Sequence, residues 1–392
     1  MAEGSGKMTE KDIQRILIEM LYSTVNELPA DEAFKQKLTT EAVATVYRLA
    51  KQHDLAHVVS HFVYHNQVQV DKELAQKLQR EELLSVYRHE QMKSTLDEIC
   101  SVFNGANIAH VPLKGAVIRA YYPFESMRTS CDIDILIHES DLKTAIKCLE
   151  EKGYQVGERD YHDVSLYSPN KIHLELHFSI QENMDNLDLV LGDAWKYAVQ
   201  SNDSRYDFKQ EFFVFYTYAH MAYHFVSGGC GIRALLDIWV MEQKMGAHYS
   251  CAEELLKKAG IYTFAVQMSN IASACFTRNE FDEFSDLVLG YVYSGGVYGS
   301  SENYIASKKT KSKSSVSYVF KRFFIPYKVM AATYPILKKL PFLLPVYWLV
   351  RAVKVVCDGK TKRVMKELNS AKSVSDDKIE EIREIRARMG LE

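Results

Sequence analysis

Residues 131–137 read CDIDILI, and their alternation of polar and apolar side chains decides the expected fold. Side chains of a β-strand point to opposite faces in turn, so Asp132 and Asp134 share one face while Ile133 and Ile135 point into a core. Two carboxylates this close repel each other, which raises one pKa unless a cation lies between them. The stretch therefore predicts a half-buried strand that binds a hard divalent cation, Mg²⁺ first and Mn²⁺ as the alternative.

A second acidic strand is predicted at residues 172–178, which read IHLELHF. Its apolar neighbours flank Glu175 with the same alternation, so the Glu175 carboxylate could reach the cation of Asp132 and Asp134. Three acids on neighbouring strands can carry two cations, the arrangement used for in-line phosphoryl transfer. A lone D-x-D is more often a solvated edge, but the ordered combination favours a metal site formed by Asp132, Asp134 and Glu175.

The residues before the first acidic strand supply the expected phosphate contacts. Residues 108–113 (IAHVPL) have the pattern of a short strand, and residues 116–122 (AVIRAYY) that of a short helix. A glycine between a strand and a helix lets backbone N–H groups approach phosphate oxygens, and Gly115 holds this position. Lys114 and Arg128 add positive charge nearby, so both are predicted to bind phosphate together with Gly115.

The rest of the chain has a mainly helical pattern. Apolar residues recur every three or four positions from about residue 9 to residue 103, and again beyond about residue 186, where residues 188–199 (DLVLGDAWKYAV) are predicted to form one helix. A helix at 141–153 and a strand at 164–168 complete the centre. The expected fold is α+β, a small mixed sheet flanked by N-terminal and C-terminal helical lobes. The predicted parts are a helical domain (1–104), the α/β core (105–185), a helical lobe (186–300) and a basic, apolar tail that ends in a charged helix (301–392).

Composition and cysteine usage restrict the class of protein. With 47% hydrophobic and 25% charged residues, the chain has the composition of an ordinary globular protein rather than of a disordered or fibrous one. The seven cysteines are scattered and form no C-x-x-C pair, which argues against a disulfide framework and against a zinc knuckle. The N-terminus lacks the apolar run of a signal peptide. These features favour the cytoplasm.

Positive charge is concentrated near the C-terminus, although the net charge is only -3. Fifteen Lys or Arg residues lie between positions 303 and 366, against a single acid, Asp358. Residues 320–356 are apolar and aromatic, but lysines, an arginine and prolines interrupt them, so they lack the roughly 20 consecutive apolar residues of a spanning helix. A contact of residues 308–366 with an anionic membrane surface, peripheral at the inner face, is slightly favoured over packing against the helical lobes. A solvated tail is the alternative.

Histidines form a second set of polar candidates. His177 lies two residues after the acid of its strand and is predicted to contact substrate or phosphate, with a structural hydrogen bond as an equal alternative. His220 and His224 are four residues apart, and a polar seam between the helical lobe and the site is favoured over a zinc site. Arg233 and Asp237, also four apart, are expected to pair with each other on one helix.

Three of these motifs together resemble a known family. The motifs L-K-G (113–115), R-x-x-x-D-I-D-I-L-I (128–137) and E-L-H (175–177) resemble the uncharacterised nucleotidyltransferase family of the DNA polymerase β-like superfamily. The resemblance covers residues 108–178 closely and the following helices more loosely. It implies that Asp132 and Asp134 are the paired metal ligands, that Glu175 is the third carboxylate, and that Gly115 lies in the phosphate-binding turn. Ala116 replaces the usual serine or glycine of that turn, so a hydroxyl contact to phosphate is missing.

The resemblance implies an enzyme that uses Mg²⁺ to move a nucleoside monophosphate from a nucleoside triphosphate (NTP) to an acceptor hydroxyl, with release of pyrophosphate. The acceptor is expected to be a small molecule, a protein or RNA. Two alternatives remain at this point. One is a catalytically degenerate module that binds nucleotides or a membrane surface, and the other is an RNA-modifying enzyme whose basic tail holds its acceptor.

Overall fold

The computed structural model describes residues 8–277, 280–297, 299–310, 324–327, 330–331, 334, 336–357 and 375–391. Five helices come first: α1 (Glu10–Val25), α2 (Glu32–Lys35), α3 (Thr40–Gln52), α4 (Ala56–His65) and α5 (Lys72–Gly105). The side chains of Thr9, Thr39 and Asp71 cap α1, α3 and α5 by accepting hydrogen bonds from N–H groups of the first turn. The predicted helical character of this segment is confirmed.

A seven-stranded mixed sheet forms the centre, with the strand order β3-β4-β5-β2-β1-β7-β6. The strands are β1 (His110–Pro112), β2 (Asp132–Ile137), β3 (Gln155–Arg159), β4 (Asp163–Tyr167), β5 (His173–His177), β6 (Ala198–Asn202) and β7 (Arg205–Phe208). Strand β2 runs parallel to β5 and antiparallel to β1, whereas β1 runs parallel to β7. Helix α6 (Lys114–Ile118) follows β1, and α7 (Leu142–Glu151) follows β2. The expected α+β fold with a mixed sheet is therefore confirmed.

The alternation along β2 and β5 gives the sheet two different faces. On one face Ile133, Ile135, Leu174 and Leu176 are buried in a core that also contains apolar side chains of α5 and α7. The residues between them carry the acids and point to the opposite face, which borders a cleft shared with the C-terminal helices. Burial of one face thus fixes the direction in which the polar residues point.

The C-terminal helical lobe packs on the polar face of the sheet. It comprises α8 (Asp185–Leu191), α9 (Gln210–Val226), α10 (Ile232–Gln243), α11 (Glu253–Lys258), α12 (Tyr262–Phe276), α13 (Glu283–Gly295) and α14 (Ser301–Thr310). Near the C-terminus, α17 (Asp376–Arg388) packs against α14 and buries Ile382 and Ile385 in the core of the lobe. The charged helix expected at the end of the tail is therefore present, and it contributes to this core.

Two expectations about secondary structure are wrong. Residues 188–199 do not form one helix, because α8 ends at Leu191 and β6 begins at Ala198. Strands β3, β6 and β7 were not expected either. Strands β3 and β6 are the two edges of the sheet and are almost entirely exposed, so their sequences lack the alternation that one buried face imposes. As a result, the sheet continues beyond residue 185.

Between α14 and α17, the described part of the tail includes α15 (Ile336–Lys339) and α16 (Leu344–Cys357). The predicted membrane contact concerns residues 308–366, of which residues 311–323, 328–329, 332–333, 335 and 358–366 lie outside the described residues. Within the described part of the chain, we find no helix that is both long enough and apolar enough to cross a membrane.

Candidate functional site

The polar face of β2 and β5 brings the three predicted acids together. Because the two strands are parallel and in register, Asp132 lies opposite His173 and Asp134 lies opposite Glu175. Ligand atoms of Asp132, His173 and Glu175 lie within 4.8 Å of one another, and the same holds for Asp134, Glu175 and His177. Glu175 belongs to both groups, so each of the two aspartates has a carboxylate oxygen within 4.8 Å of a carboxylate oxygen of Glu175.

His177 offsets part of the negative charge of this cluster. Its Nε2 lies 3.4 Å from Asp134 Oδ1 and 3.5 Å from Glu175 Oε2. Burial alone would lower the pKa of His177, but the hydrogen bonds and charges of the two carboxylates outweigh burial and raise the pKa to about 10. The ring also stacks on His162, with centroids 5.5 Å apart. His177 is therefore protonated at neutral pH when no cation is bound.

The pKa values of the two aspartates of β2 are shifted in opposite directions. Burial, together with the charges of Asp134 and Glu175, raises the pKa of Asp132 to about 7. Burial also acts to raise the pKa of Asp134, but the hydrogen bond with His177 and the positive charges around it, those of His177 and Arg128 among them, together outweigh burial, so that pKa is lowered. Asp132 is thus partly protonated near neutral pH, and a divalent cation would displace this proton. Three convergent carboxylates are oxygen donors that suit Mg²⁺ or Mn²⁺, so the donor set fits the predicted cation.

A buried ion cluster forms the opposite wall of the cleft. Arg128 donates two hydrogen bonds to the Asp237 carboxylate, from Nε to Oδ1 at 2.8 Å and from Nη2 to Oδ2 at 2.9 Å. The Tyr122 hydroxyl donates to Oδ1 at 2.7 Å, and Lys114 Nζ lies 3.7 Å from Oδ2. The ion pair, the hydrogen bonds and the charge of Lys114 outweigh burial and hold the pKa of Asp237 well below its usual range. Lys114 and Arg128, the two basic side chains predicted to bind phosphate, therefore both lie beside the Asp237 carboxylate.

The expected pair of Arg233 with Asp237 is wrong. Arg233 Nη1 instead donates to Asp54 Oδ2 and to the carbonyl oxygen of Thr129, both at 3.0 Å. Asp237 is only 2% exposed, and the planar fork of the buried Arg128 satisfies both of its oxygens. Arg233 thereby ties the loop before α4 to the first turn of α10, and it still lines the cleft.

Gly115 is required by the position of Arg128. A Cβ atom at residue 115 would lie 2.8 Å from Arg128 Nη1, which is closer than real Cβ contacts allow. The guanidinium cannot easily withdraw because it is held by two hydrogen bonds to Asp237. Position 115 thus requires a glycine for a second reason besides the predicted phosphate binding, namely its close packing against Arg128.

The two walls enclose a cleft of about 410 Å³ that is lined by all seven residues predicted for the site. Sequence reasoning missed Arg119 in this cleft. Its Nη2 donates to Ser130 Oγ at 2.6 Å, and burial together with the charge of Arg128 lowers its pKa to about 10. Burial lowers the pKa of Lys114 as well, with Arg128 and Arg233 adding to the shift. Lys114, Arg119, Arg128 and Arg233 line the cleft together with Asp237, so basic side chains outnumber carboxylates on this wall. Besides burial, their mutual repulsion lowers the pKa values of Arg119 and Lys114, and an anionic ligand would relieve it.

A chain of hydrogen-bonding groups closes one end of the cleft. His220 Nδ1 lies 3.4 Å from Glu182 Oε1, and His220 Nε2 lies 3.1 Å from His224 Nε2. Burial lowers the pKa of each histidine to about 3, so both are neutral. Neither histidine belongs to a candidate metal group among the described residues. They line the cleft as a polar seam next to the acids.

Two residues of the site differ in how easily they could have been recognised. His173 has the same parity as Glu175 along β5, so the period of two was a sufficient signal for it. Glu182 lies after the last strand of the motif in a segment without periodicity, and its place in the cleft depends on contacts with α9. No local pattern could have indicated it.

The comparisons agree with the geometry. A family model described as an uncharacterised nucleotidyltransferase matches residues 39–277, from the start of α3 to the end of α12. No curated protein and no solved structure matches the chain. The match extends well beyond residues 108–178, where the sequence motifs lie, and includes helices α3 to α5 as well as α10. Because it covers more than half of the chain, the protein belongs to this family of uncharacterised nucleotidyltransferases.

Proposed function

We propose that the protein transfers a nucleoside monophosphate from an NTP to an acceptor hydroxyl and releases pyrophosphate, with Mg²⁺ or Mn²⁺ as the cofactor. One observation carries the proposal: Asp132, Asp134 and Glu175 converge on one face of β2 and β5, inside a cleft whose other wall is positively charged. Carboxylates that bind cations and a wall that attracts anions are the two requirements for binding a metal–triphosphate complex.

Each wall has a distinct role in the proposed reaction. Asp132, Asp134 and Glu175 hold the cations, which when bound neutralise phosphate charge and align the reacting oxygens. Lys114 and Arg119 provide the positive potential that draws the triphosphate toward the turn before α6. The acceptor oxygen forms a bond to the α-phosphorus while the bond from that phosphorus to the bridging oxygen breaks, and pyrophosphate leaves. The proton of the acceptor hydroxyl passes to a carboxylate of the cluster.

Replacement of the acids tests the proposal. We expect Asp132→Asn and Asp134→Asn each to abolish Mn²⁺ binding in calorimetry and metal-dependent pyrophosphate release from a panel of the four common NTPs. The matched control is Asp207→Asn on β7, because Asp207 is half-exposed in the same sheet and pairs with its strand neighbour Arg205. This control should keep both properties.

The folding of the variants is checked separately. Ionised Asp132 is disfavoured by burial and by two neighbouring carboxylates, so Asp132→Asn should leave the thermal midpoint unchanged or raise it. Turnover that persists in both aspartate variants would remove the assignment. Tight metal-dependent NTP binding without pyrophosphate release across the acceptor panel would instead favour the degenerate nucleotide-binding alternative, for which Ala116 and the pairing of Lys114 with Asp237 are the supporting features.

The predicted membrane contact of residues 308–366 is separate from this chemistry. Among the described residues, those that line the cleft end at Val297, and none belongs to the tail. A cytoplasmic enzyme whose tail rests on the inner membrane face is thus compatible with the proposed reaction without being required by it.

A further inference from the structure

Helix α16 has apolar side chains on opposite sides. On its inner side Leu344, Tyr347 and Trp348 pack against a small cluster built on Met330 and Leu337. The indole N–H of Trp348 donates to the carbonyl oxygen of Ile325 at 2.9 Å, which fixes the rotation of the helix about its axis. The side that points away from this cluster is therefore determined.

That outer side is exposed and apolar. Phe342, just before the helix, is 73% exposed, and Val346, Leu349 and Val353 are 51%, 69% and 61% exposed. The spacing of three and four residues places Val346, Leu349 and Val353 in one row along the helix, and Phe342 lies in the 3-10 turn at the start of this row. Four large apolar side chains in a continuous row are more than the scattered single exposures that a protein surface normally shows. The row therefore has the character of a docking surface.

The charge around this row determines which partner fits it. Exposed Lys338 and Lys339 lie at the end where Phe342 begins the row, and no acidic residue occurs between positions 303 and 357. The row itself contains no cation, whereas a nucleic-acid surface would need cations among the contacting side chains. Apolar side chains with lysines at one end match the boundary between acyl chains and anionic lipid headgroups.

We propose that the row formed by Phe342, Val346, Leu349 and Val353 docks on an anionic lipid surface, with Lys338 and Lys339 at the headgroups. Helix α16 has 14 residues and is therefore about 21 Å long, shorter than the roughly 30 Å of a hydrocarbon core. It lies in the plane of the interface and does not cross it. The proposal rests on a surface outside the cleft, so it does not depend on the nucleotidyltransferase reaction.

Vesicle flotation with the full-length protein tests this docking. The vesicles contain phosphatidylcholine alone or phosphatidylcholine with phosphatidylserine, and no nucleotide is added. We expect binding to the anionic vesicles only. The double variant Leu349→Ser/Val353→Ser should weaken binding by about tenfold per removed side chain. The double variant Lys338→Gln/Lys339→Gln should weaken it by about fivefold per lysine, and high salt should have the same effect.

The matched control carries the same kind of change elsewhere. Leu189 and Val199 are 63% and 50% exposed and lie outside the tail, so Leu189→Ser/Val199→Ser should float like the unchanged protein. Equal flotation of the Leu349→Ser/Val353→Ser variant, or no flotation of the unchanged protein, would refute the proposal. Two other results would also refute it: an oligomer of the unchanged protein that dissociates in the Leu349→Ser/Val353→Ser variant, or a complex with single-stranded RNA that this variant no longer forms in a gel shift. Either result would assign the row to another partner. Pyrophosphate release is measured on the same samples, so failure of docking is distinguished from failure of the enzyme.

Discussion

Replacement of Asp237 by asparagine removes the charge on which the cationic wall of the cleft depends. The Asp237 carboxylate accepts both hydrogen bonds from the Arg128 fork and one from the Tyr122 hydroxyl, and Lys114 Nζ lies 3.7 Å away. An asparagine at this position is isosteric, but it has one acceptor oxygen instead of two and no charge. Arg128 would then be buried without a counterion and with one donor unsatisfied.

The loss of stability is large because both partners of the ion pair are buried. Arg128 and Asp237 are 7% and 2% exposed, so solvent does not screen their interaction. Removing one partner of a buried ion pair costs about 3–5 kcal/mol, because the remaining charge stays in the interior. For a chain of 392 residues the loss corresponds to a thermal midpoint lowered by about 5 °C. Since the folded pKa of Asp237 is depressed, its contribution is present above about pH 4 and is lost as the pH falls through the folded pKa.

Differential scanning fluorimetry at pH 7 measures this change. The matched control is Asp193→Asn, which removes an exposed Asp–Lys pair and should leave the midpoint unchanged. A second variant, Arg128→Met/Asp237→Leu, replaces both charges by apolar side chains and should recover much of the lost midpoint while losing NTP binding. An Asp237→Asn protein as stable as the unchanged one would refute the reasoning, since Arg128 would then not depend on this carboxylate.

Two further predictions concern the turn and the acids. Gly115→Ala should lower the thermal midpoint and weaken NTP binding, because the new Cβ would displace the guanidinium of Arg128 at a cost of about 1–3 kcal/mol. The control Gly105→Ala should have neither effect, because a Cβ at that position meets no atom within 4 Å. Mn²⁺ affinity measured by calorimetry should fall by about tenfold per pH unit below pH 7 for each proton displaced, since the pKa of Asp132 is raised to about 7 and that of His177 to about 10. An affinity that is constant from pH 6 to pH 8 would contradict this proton displacement.

The part of the site that sequence predicted is the part fixed by local periodicity. The alternation in residues 131–137 and 172–178 determined which side chains share a face, and the structure places Asp134 opposite Glu175 in parallel strands. The apolar residues between the acids are buried on the other face, and this burial makes the register unambiguous. A period of two and one buried face therefore determined which side chains share a face, whereas the pairing of β2 with β5 is a long-range contact that neither motif encodes.

The parts that sequence did not predict depend on contacts between distant residues. Arg128 and Asp237 are 109 positions apart, and the expected partner of Asp237 was its helix neighbour Arg233 because spacing reveals only local pairs. Strands β3 and β6 are exposed edges whose residues do not alternate. In each case the deciding factor is tertiary packing, which leaves no repeat in the sequence.

The ion cluster explains why the helical lobe and the sheet form one functional unit. Asp237 on α10 fixes Arg128, Arg128 leaves room only for glycine at position 115, and Gly115 lies in the first turn of the helix that faces the acids. A change on α10 is thereby transmitted to the turn proposed to bind phosphate, although Asp237 itself is buried. The family match ends with α12 and so includes this cluster, whereas helix α16 lies outside the match. The acids and the ion cluster of the cleft therefore lie inside the family match, whereas the apolar row on α16 lies outside it.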